Sequence, residues 1–239
     1  MRLTVNLKKL LVMTAALVGI ASQLNANMYA PPPGLQIGDK YRLVFMTEEG
    51  RTATSSDIND YNSFVTDAAK NSWLGNLTVS WKAIASTTSI DAIDNIGQLT
   101  STVGVYRTDG FLFANGTAEI FSPGFLYPGI LTEDALPGRN YAWTGTTQDG
   151  HRSSAPLGGV IFPNVGMPLA TMGETGTPSR WLFHINEGVI ASLPLYAISS
   201  EITVLPPPPP APTPEPGTIG LTALGVGTLF LTTKWKRRR

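Results

Sequence analysis

Cysteine is absent from this chain, and histidine occurs only twice. Without thiols there is no disulfide framework, no Cys-based metal centre and no thiol catalysis; two imidazoles are too few for a structural zinc site. Charge is sparse, at 14% of residues, and unevenly placed. Eight of the 17 basic residues lie near the ends: Arg2, Lys8 and Lys9, then Lys234, Lys236, Arg237, Arg238 and Arg239. All 17 acidic residues lie between them, where nine basic side chains leave a formal charge of −8. Neutralising a phosphate backbone needs a basic face, so nucleic acid is excluded as a partner. Polycations, divalent ions and neutral sugars stay open.

Long apolar runs are equally scarce; there is one at each end. Leu10 to Ile20 follows Arg2, Lys8 and Lys9 and precedes small and polar residues up to Ala26. Residues 1–26 therefore read as a secretory signal peptide, cut by signal peptidase after Ala26. The second run, residues 218–233, is 16 residues without a charge. As a helix it extends roughly 24 Å, short of the ~30 Å hydrocarbon core. Trp235 and the flanking cations at the headgroups let it span as a transmembrane helix, with residues 234–239 as a basic cytoplasmic tail.

Between the ends, residues 34–205 hold 172 residues, enough for one core without disulfides. Pro31-Pro32-Pro33-Gly34 leads in, and residues 206–217 close with a proline-rich stretch. Polyproline II is its natural form, so the 11 residues from Pro206 to Pro216 make a stalk of roughly 34 Å.

Within the body, Tyr41 to Met46 reads as a strand after the Gly38-Asp39 turn. Thr54 to Asp57 supplies a capping-box pattern. Ile58, Tyr61, Val65 and Ala68 then form one apolar helical stripe. Trp81 to Ala85 reads as a strand and Ser89 to Ile96 as a short helix with Asp91 and Asp94 in its first turns. Asp109-Gly110 predicts a hairpin between Val103–Tyr106 and Phe111–Phe113, and Asn115-Gly116 a second tight turn. Tyr141 to Gly145 is a strand ended by Asp149-Gly150, and residues 121–138 and 158–178 are long loops. Trp181 to Ile185 and Leu195 to Val204 close the sheet. Early helices and late strands predict α+β with an antiparallel sheet.

Candidate chemistry is thin. Asp57, Asn59 and Asp60 fail the calcium-loop pattern, because Asn62 stands where glycine is needed. Glu48-Glu49 and Glu133-Asp134 are paired carboxylates with no partner assignable from sequence, and read as solvated loop charge. His151 follows the Asp149-Gly150 turn, and His184 sits in the apolar Trp-Leu-Phe-His-Ile. No Gly-x-Ser-x-Gly elbow accompanies the serines, so the chain is expected to be non-catalytic, with no metal and no cofactor. Trp143, with Asp149 and His151, is the candidate ligand-binding set. The tryptophans Trp73, Trp81, Trp143 and Trp181 either stack on sugars or fill the core.

Pro214-Glu215-Pro216, the apolar run and the basic terminus together resemble the PEP-CTERM class of bacterial surface proteins. That resemblance covers about a tenth of the chain. It implies sorting by an exosortase, cleavage near the tripeptide, transient residence in the inner membrane, and delivery to the cell surface or exterior. From Tyr41 to Val204 the body resembles the C-type lectin-like fold. The resemblance rests on Phe45-Met46-Thr47, the helix from Ile58, Trp81-Lys82-Ala83 and Asp91-Ala92-Ile93-Asp94. It continues in Val105-Tyr106-x-x-Asp109-Gly110, Trp143-Thr144-Gly145-Thr146, Asp149-Gly150 and Trp181. The calcium and sugar tripeptides of that fold's carbohydrate-binding branch do not occur in the body, so calcium-dependent sugar binding is not implied. The expected function is a non-catalytic surface or matrix protein associated with exopolysaccharide. A glycan-recognising module is the alternative, and a secreted hydrolase the third reading.

Overall fold

The computed structural model describes residues 30–97, 102–122, 125 and 128–207. The expected signal peptide, the PEP tripeptide, the transmembrane helix and the basic tail lie outside the described residues. Among the described residues, no helix is long and apolar enough to cross a membrane.

Lys-Tyr-Arg-Leu-Val-Phe-Met forms β1 (Lys40–Met46), buried along its whole length after Lys40. A strand apolar at nearly every position needs cover on both faces, and β1 has it. Tyr41, Leu43 and Phe45 enter one core; Val44 and Met46 enter another. β2 (Trp81–Ala83), β3 (Val105–Arg107), β4 (Leu112–Ala114) and β9 (Tyr196–Ser199) build the first sheet around it, in the order β2-β9-β1-β3-β4. β10 (Ile202–Thr203) pairs with the start of β1.

The expectation of an antiparallel sheet is corrected at one pairing. β1 and β3 run parallel, with Arg42, Leu43 and Val44 opposite Val105, Tyr106 and Arg107. A parallel pair needs a long crossover, and here the chain passes through two helices and β2 between them. The predicted hairpin at Asp109-Gly110 forms between β3 and β4, with Gly110 in the left-handed region.

Helix α1 (Ile58–Lys70) covers the first core. Asp57 caps it directly, accepting from the Asn59 amide at 2.9 Å, so the cap is Asp57 itself rather than a box begun at Thr54. Its buried residues are Ile58, Tyr61, Asn62, Val65 and Ala69; Ala68 is only half-buried. Asn62 is there for its amide. It exchanges two 2.9 Å hydrogen bonds with Asn95 and accepts one from the Ala83 amide, tying α1 to β2 and to the short helix α2 (Ala92–Ile96). The second tight turn expected at Asn115-Gly116 is replaced by a one-turn helix, α3 (Thr117–Ile120), with Gly116 at its start.

The second sheet is antiparallel: β5 (Tyr141–Trp143), β6 (Val160–Ile161), β7 (Pro168–Glu174) and β8 (Ile185–Gly188), with β7 pairing all three others. Residues 158–178, expected to be loop, thus contain the strand that organises this sheet. Gly173 shows why local sequence hid it. A Cβ there would stand 1.7 Å from the Trp181 carbonyl oxygen, so the strand must carry a glycine where another backbone passes.

Trp181 lies at 0% exposure in the second core. Phe113, Phe125 and Tyr196 surround it, with ring centroids 5.7, 5.7 and 5.2 Å away. Burial of this cluster supplies cohesion that the chain cannot draw from disulfides.

Candidate functional site

The site residues expected from sequence separate into two places. Trp143 is fully buried in the first core, its indole N–H donating to the Arg51 carbonyl at 3.0 Å. It does not join Asp149 and His151, because its place in β5 turns the ring inward. Trp81 and Trp181 are core as well, while Trp73 is half-buried.

Asp149 and His151 belong to a tight surface turn. The Gly150 amide donates to the Thr147 carbonyl at 3.1 Å, and the Thr147 amide to the His151 carbonyl at 2.8 Å. Gly150 has φ +86°, and a Cβ would meet Phe121 at 2.8 Å, so backbone and packing both require glycine. The Thr147 hydroxyl holds the Asp149 carboxylate; that hydrogen bond, above all, keeps its pKa below the usual carboxylate range.

The turn is tied down by Asp91, which precedes α2. A residue at that position usually caps its own helix. Here other groups serve the first donors. The Ala92 amide donates to the Ser86 hydroxyl at 2.8 Å, and the Ile93 amide to the Gly150 carbonyl at 3.1 Å. The Asp91 carboxylate is therefore released to the turn. One oxygen contacts His151 Nδ1 at 2.9 Å; the other accepts from the Arg152 amide and Nε, both at 3.0 Å. Burial pushes the Asp91 carboxyl up, but the His151 hydrogen bond, the Arg152 amide and both cationic charges outweigh it and hold it down. The Asp91 hydrogen bond in turn raises the exposed His151 imidazole above its ordinary value.

An aspartate on one imidazole nitrogen is half of a catalytic relay; a nucleophile on the other nitrogen completes it. Among the described residues, nothing hydrogen-bonds that second nitrogen; the Asp91 contact ties the turn to the start of α2. His184 is half-buried, stacks on Tyr141 at 6.0 Å and lies 3.9 Å from Glu174.

Two cavities open among the described residues. One, of about 280 Å³, gathers both sequence-adjacent carboxylate pairs, Glu48-Glu49 and Glu133-Asp134, with Asp67. Glu133 is buried rather than solvated, accepts from the Glu48 amide at 2.9 Å, and is raised in pKa by that burial. The other, of about 490 Å³, is lined by Arg42, Ser80, Lys82, Asn95, Ile198 and Ser200, among others. Sequence reading did not single out Arg42 or Lys82. The signal was the alternation of β1 and β2, which needs the strand register before it can be read. Among the described residues, no cluster of three or more His, Cys, Asp or Glu side chains is arranged to hold a metal ion.

In comparison with known proteins, no family model matches the chain, and no curated protein sequence matches it.

Proposed function

We propose that this chain is an exported bacterial surface protein of the PEP-CTERM kind, non-catalytic and associated with exopolysaccharide at the envelope or in the matrix. The observation that carries the reading is the order of three elements at the C-terminus: Pro214-Glu215-Pro216, the uncharged residues 218–233, and the cations of residues 234–239. The positive-inside rule holds such a terminus in the cytoplasm while the body is outside. A signal-peptide pattern at the other end supplies the export that the tail requires. Exosortase and signal peptidase are the processing partners in this reading, and the inner membrane is the transient anchor.

The body is read as a C-type lectin-like domain. The α+β architecture supports that reading, as do β1 followed by the α1 helix, the Trp143-Thr144-Gly145 segment and the late Trp181 in the core. Packing of Trp143 and Trp181 occupies the interior of a domain without disulfides. A glycan-recognising module is the second reading, favoured by the polar cavity at Arg42 and Lys82.

Mass spectrometry of the termini tests the sorting claim. Protein recovered from the surface should begin near Asn27 and end near Pro216. A surface species that still ends in Arg239 makes the tail a permanent anchor and overturns processing.

A further inference from the structure

One face of the first sheet changes character along its length. The register places Lys82 opposite Ile198 and Ile198 opposite Val44, so these three share a face. Strand alternation then puts Met46, Ile84 and Tyr196 on that face at one end, and Arg42, Ser80 and Ser200 at the other. Helix α2 covers the apolar end with Ala92 and Ile96. The polar end is left as the 490 Å³ cavity.

Its cations outnumber its anions in a body that is otherwise acidic. Arg42 is 3% exposed and donates from Nη1 to the Ser199 carbonyl at 3.1 Å. Its charge faces Glu201 at 4.0 Å, and Glu201 also takes Lys40 at 2.9 Å. Lys82 is half-buried, and among the described residues its ammonium has no hydrogen bond or ion pair. Its stem is partly covered while its ammonium keeps contact with water, so an anion entering the cavity meets it directly.

We infer that this cavity is an anion-binding site whose ligand is the carboxylate of an acidic sugar residue. The monoanion matches Lys82, whose ammonium has no partner among the described residues, with Arg42 as the buried positive floor. Ser80 and Ser200 offer hydroxyls for sugar hydroxyls. The volume falls in the range of small-ligand sites. The sugar assignment rests on the exopolysaccharide reading above; the anion assignment does not.

The test is calorimetric titration of the full-length chain in detergent with four probes: a short oligogalacturonate, its methyl ester, acetate and inorganic phosphate. The oligogalacturonate should bind, the ester should not, and acetate and phosphate should bind more weakly. Binding should weaken as salt rises from about 20 to about 500 mM. Lys82→Ala should weaken it by about tenfold or more, the loss of one charge-assisted hydrogen bond. Lys82→Arg should restore most of it. Absence of binding by every anionic probe, or binding indifferent to Lys82→Ala, overturns the site; an oligogalacturonate that fails while acetate or phosphate binds overturns the sugar assignment. Phosphate binding tighter than the oligogalacturonate overturns the sugar assignment. Processing of the termini is measured separately: a processed chain that does not bind refutes only this site, and a binding chain that is never processed refutes only the sorting.

Discussion

The two ends of that sheet face are made by the same strands and differ only in what the alternating side chains are. At the sealed end Met46, Ile84 and Tyr196 lie beneath α2 and the Trp181 cluster. At the open end Arg42, Lys82, Ser80 and Ser200 line a cavity. Apolar atoms removed from water stabilise the fold in proportion to their area, so the sealed end holds the domain together. The open end contributes little burial and holds charge in reserve. A single sheet thus separates cohesion from recognition by residue type alone, without a separate loop or domain for each.

The largest effect expected from breaking this division is at the sealed end. Trp181→Ala removes the ring that touches Phe113, Phe125 and Tyr196, leaves a cavity, and should cost about 3–5 kcal/mol in chemical denaturation. Anion titration of whatever remains folded should be unchanged. A Trp181→Ala protein as stable as the parent would mean that the aromatic cluster is not what closes this end.

Arg42 stands at the border and should show both behaviours. Arg42→Met keeps the apolar stem but strips the hydrogen bond from the buried Ser199 carbonyl. Unfolding free energy should fall by about 1–3 kcal/mol, because that acceptor loses its partner without gaining water. Lys40 remains for Glu201, which limits the damage. Anion affinity should fall as well. A loss of stability with affinity intact would move the floor of the site away from Arg42.

How much of this was readable beforehand depends on the distance over which each feature is decided. β1, the hairpin at Asp109-Gly110 and the α1 stripe through Ile58, Tyr61 and Val65 are decided locally, and periodicity and turn chemistry display them. β7 is decided by β5, β6 and β8 on its flanks and by Trp181 passing over Gly173, none of which is near it in sequence. Asp91 reads as a first-turn residue of a helix from Ser89 to Ile96, whereas the helix begins at Ala92 and the Asp91 side chain caps nothing. Ser86 and Gly150 occupy the helix donors from elsewhere and free its carboxylate for His151 and Arg152. Trp143 offered either surface or core, and only its place in β5 decides for the core. Arg42 and Lys82 reach one face only through the register, and a slip of one residue would send them to opposite sides. Contacts far apart in the chain were therefore the part that stayed illegible.

The Asp91 knot allows a smaller test, because it lies on the same helix that covers the sealed end. Asp91→Asn should cost about 1 kcal/mol, since its partners His151 and Arg152 are half-exposed. His151 is raised when folded, so its share is full below the ordinary imidazole range and is lost as pH climbs through the folded value. Asp91 is lowered, so its share is full above the ordinary carboxylate range and is lost as pH falls through the folded value. Both shares are present together between roughly pH 4 and pH 6.5. The stability gap between parent and Asp91→Asn, measured by denaturation, should be widest there and narrow toward alkaline pH. It should not close, because Arg152 keeps its charge. A gap independent of pH would show that His151 is not held by Asp91 in solution.

The smallest stability effect, and the most discriminating, belongs to Lys82. Replacing it with methionine keeps the length of the stem and removes an ammonium that has no counter-ion among the described residues and shares its cavity with Arg42. Like-charge repulsion with Arg42 is relieved, so Lys82→Met should be neutral or stabilising, within about 0.5 kcal/mol of the parent. Denaturation midpoints of Lys82→Met and the parent, taken without ligand and then with saturating oligogalacturonate, separate binding from support. Without ligand the variant should match or exceed the parent; with ligand the parent should gain more than the variant, by about 1.4 kcal/mol for a tenfold difference in affinity. A Lys82→Met protein more than about 1 kcal/mol weaker without ligand would instead make the lysine a structural strut, and the open end would be another piece of the sealed one.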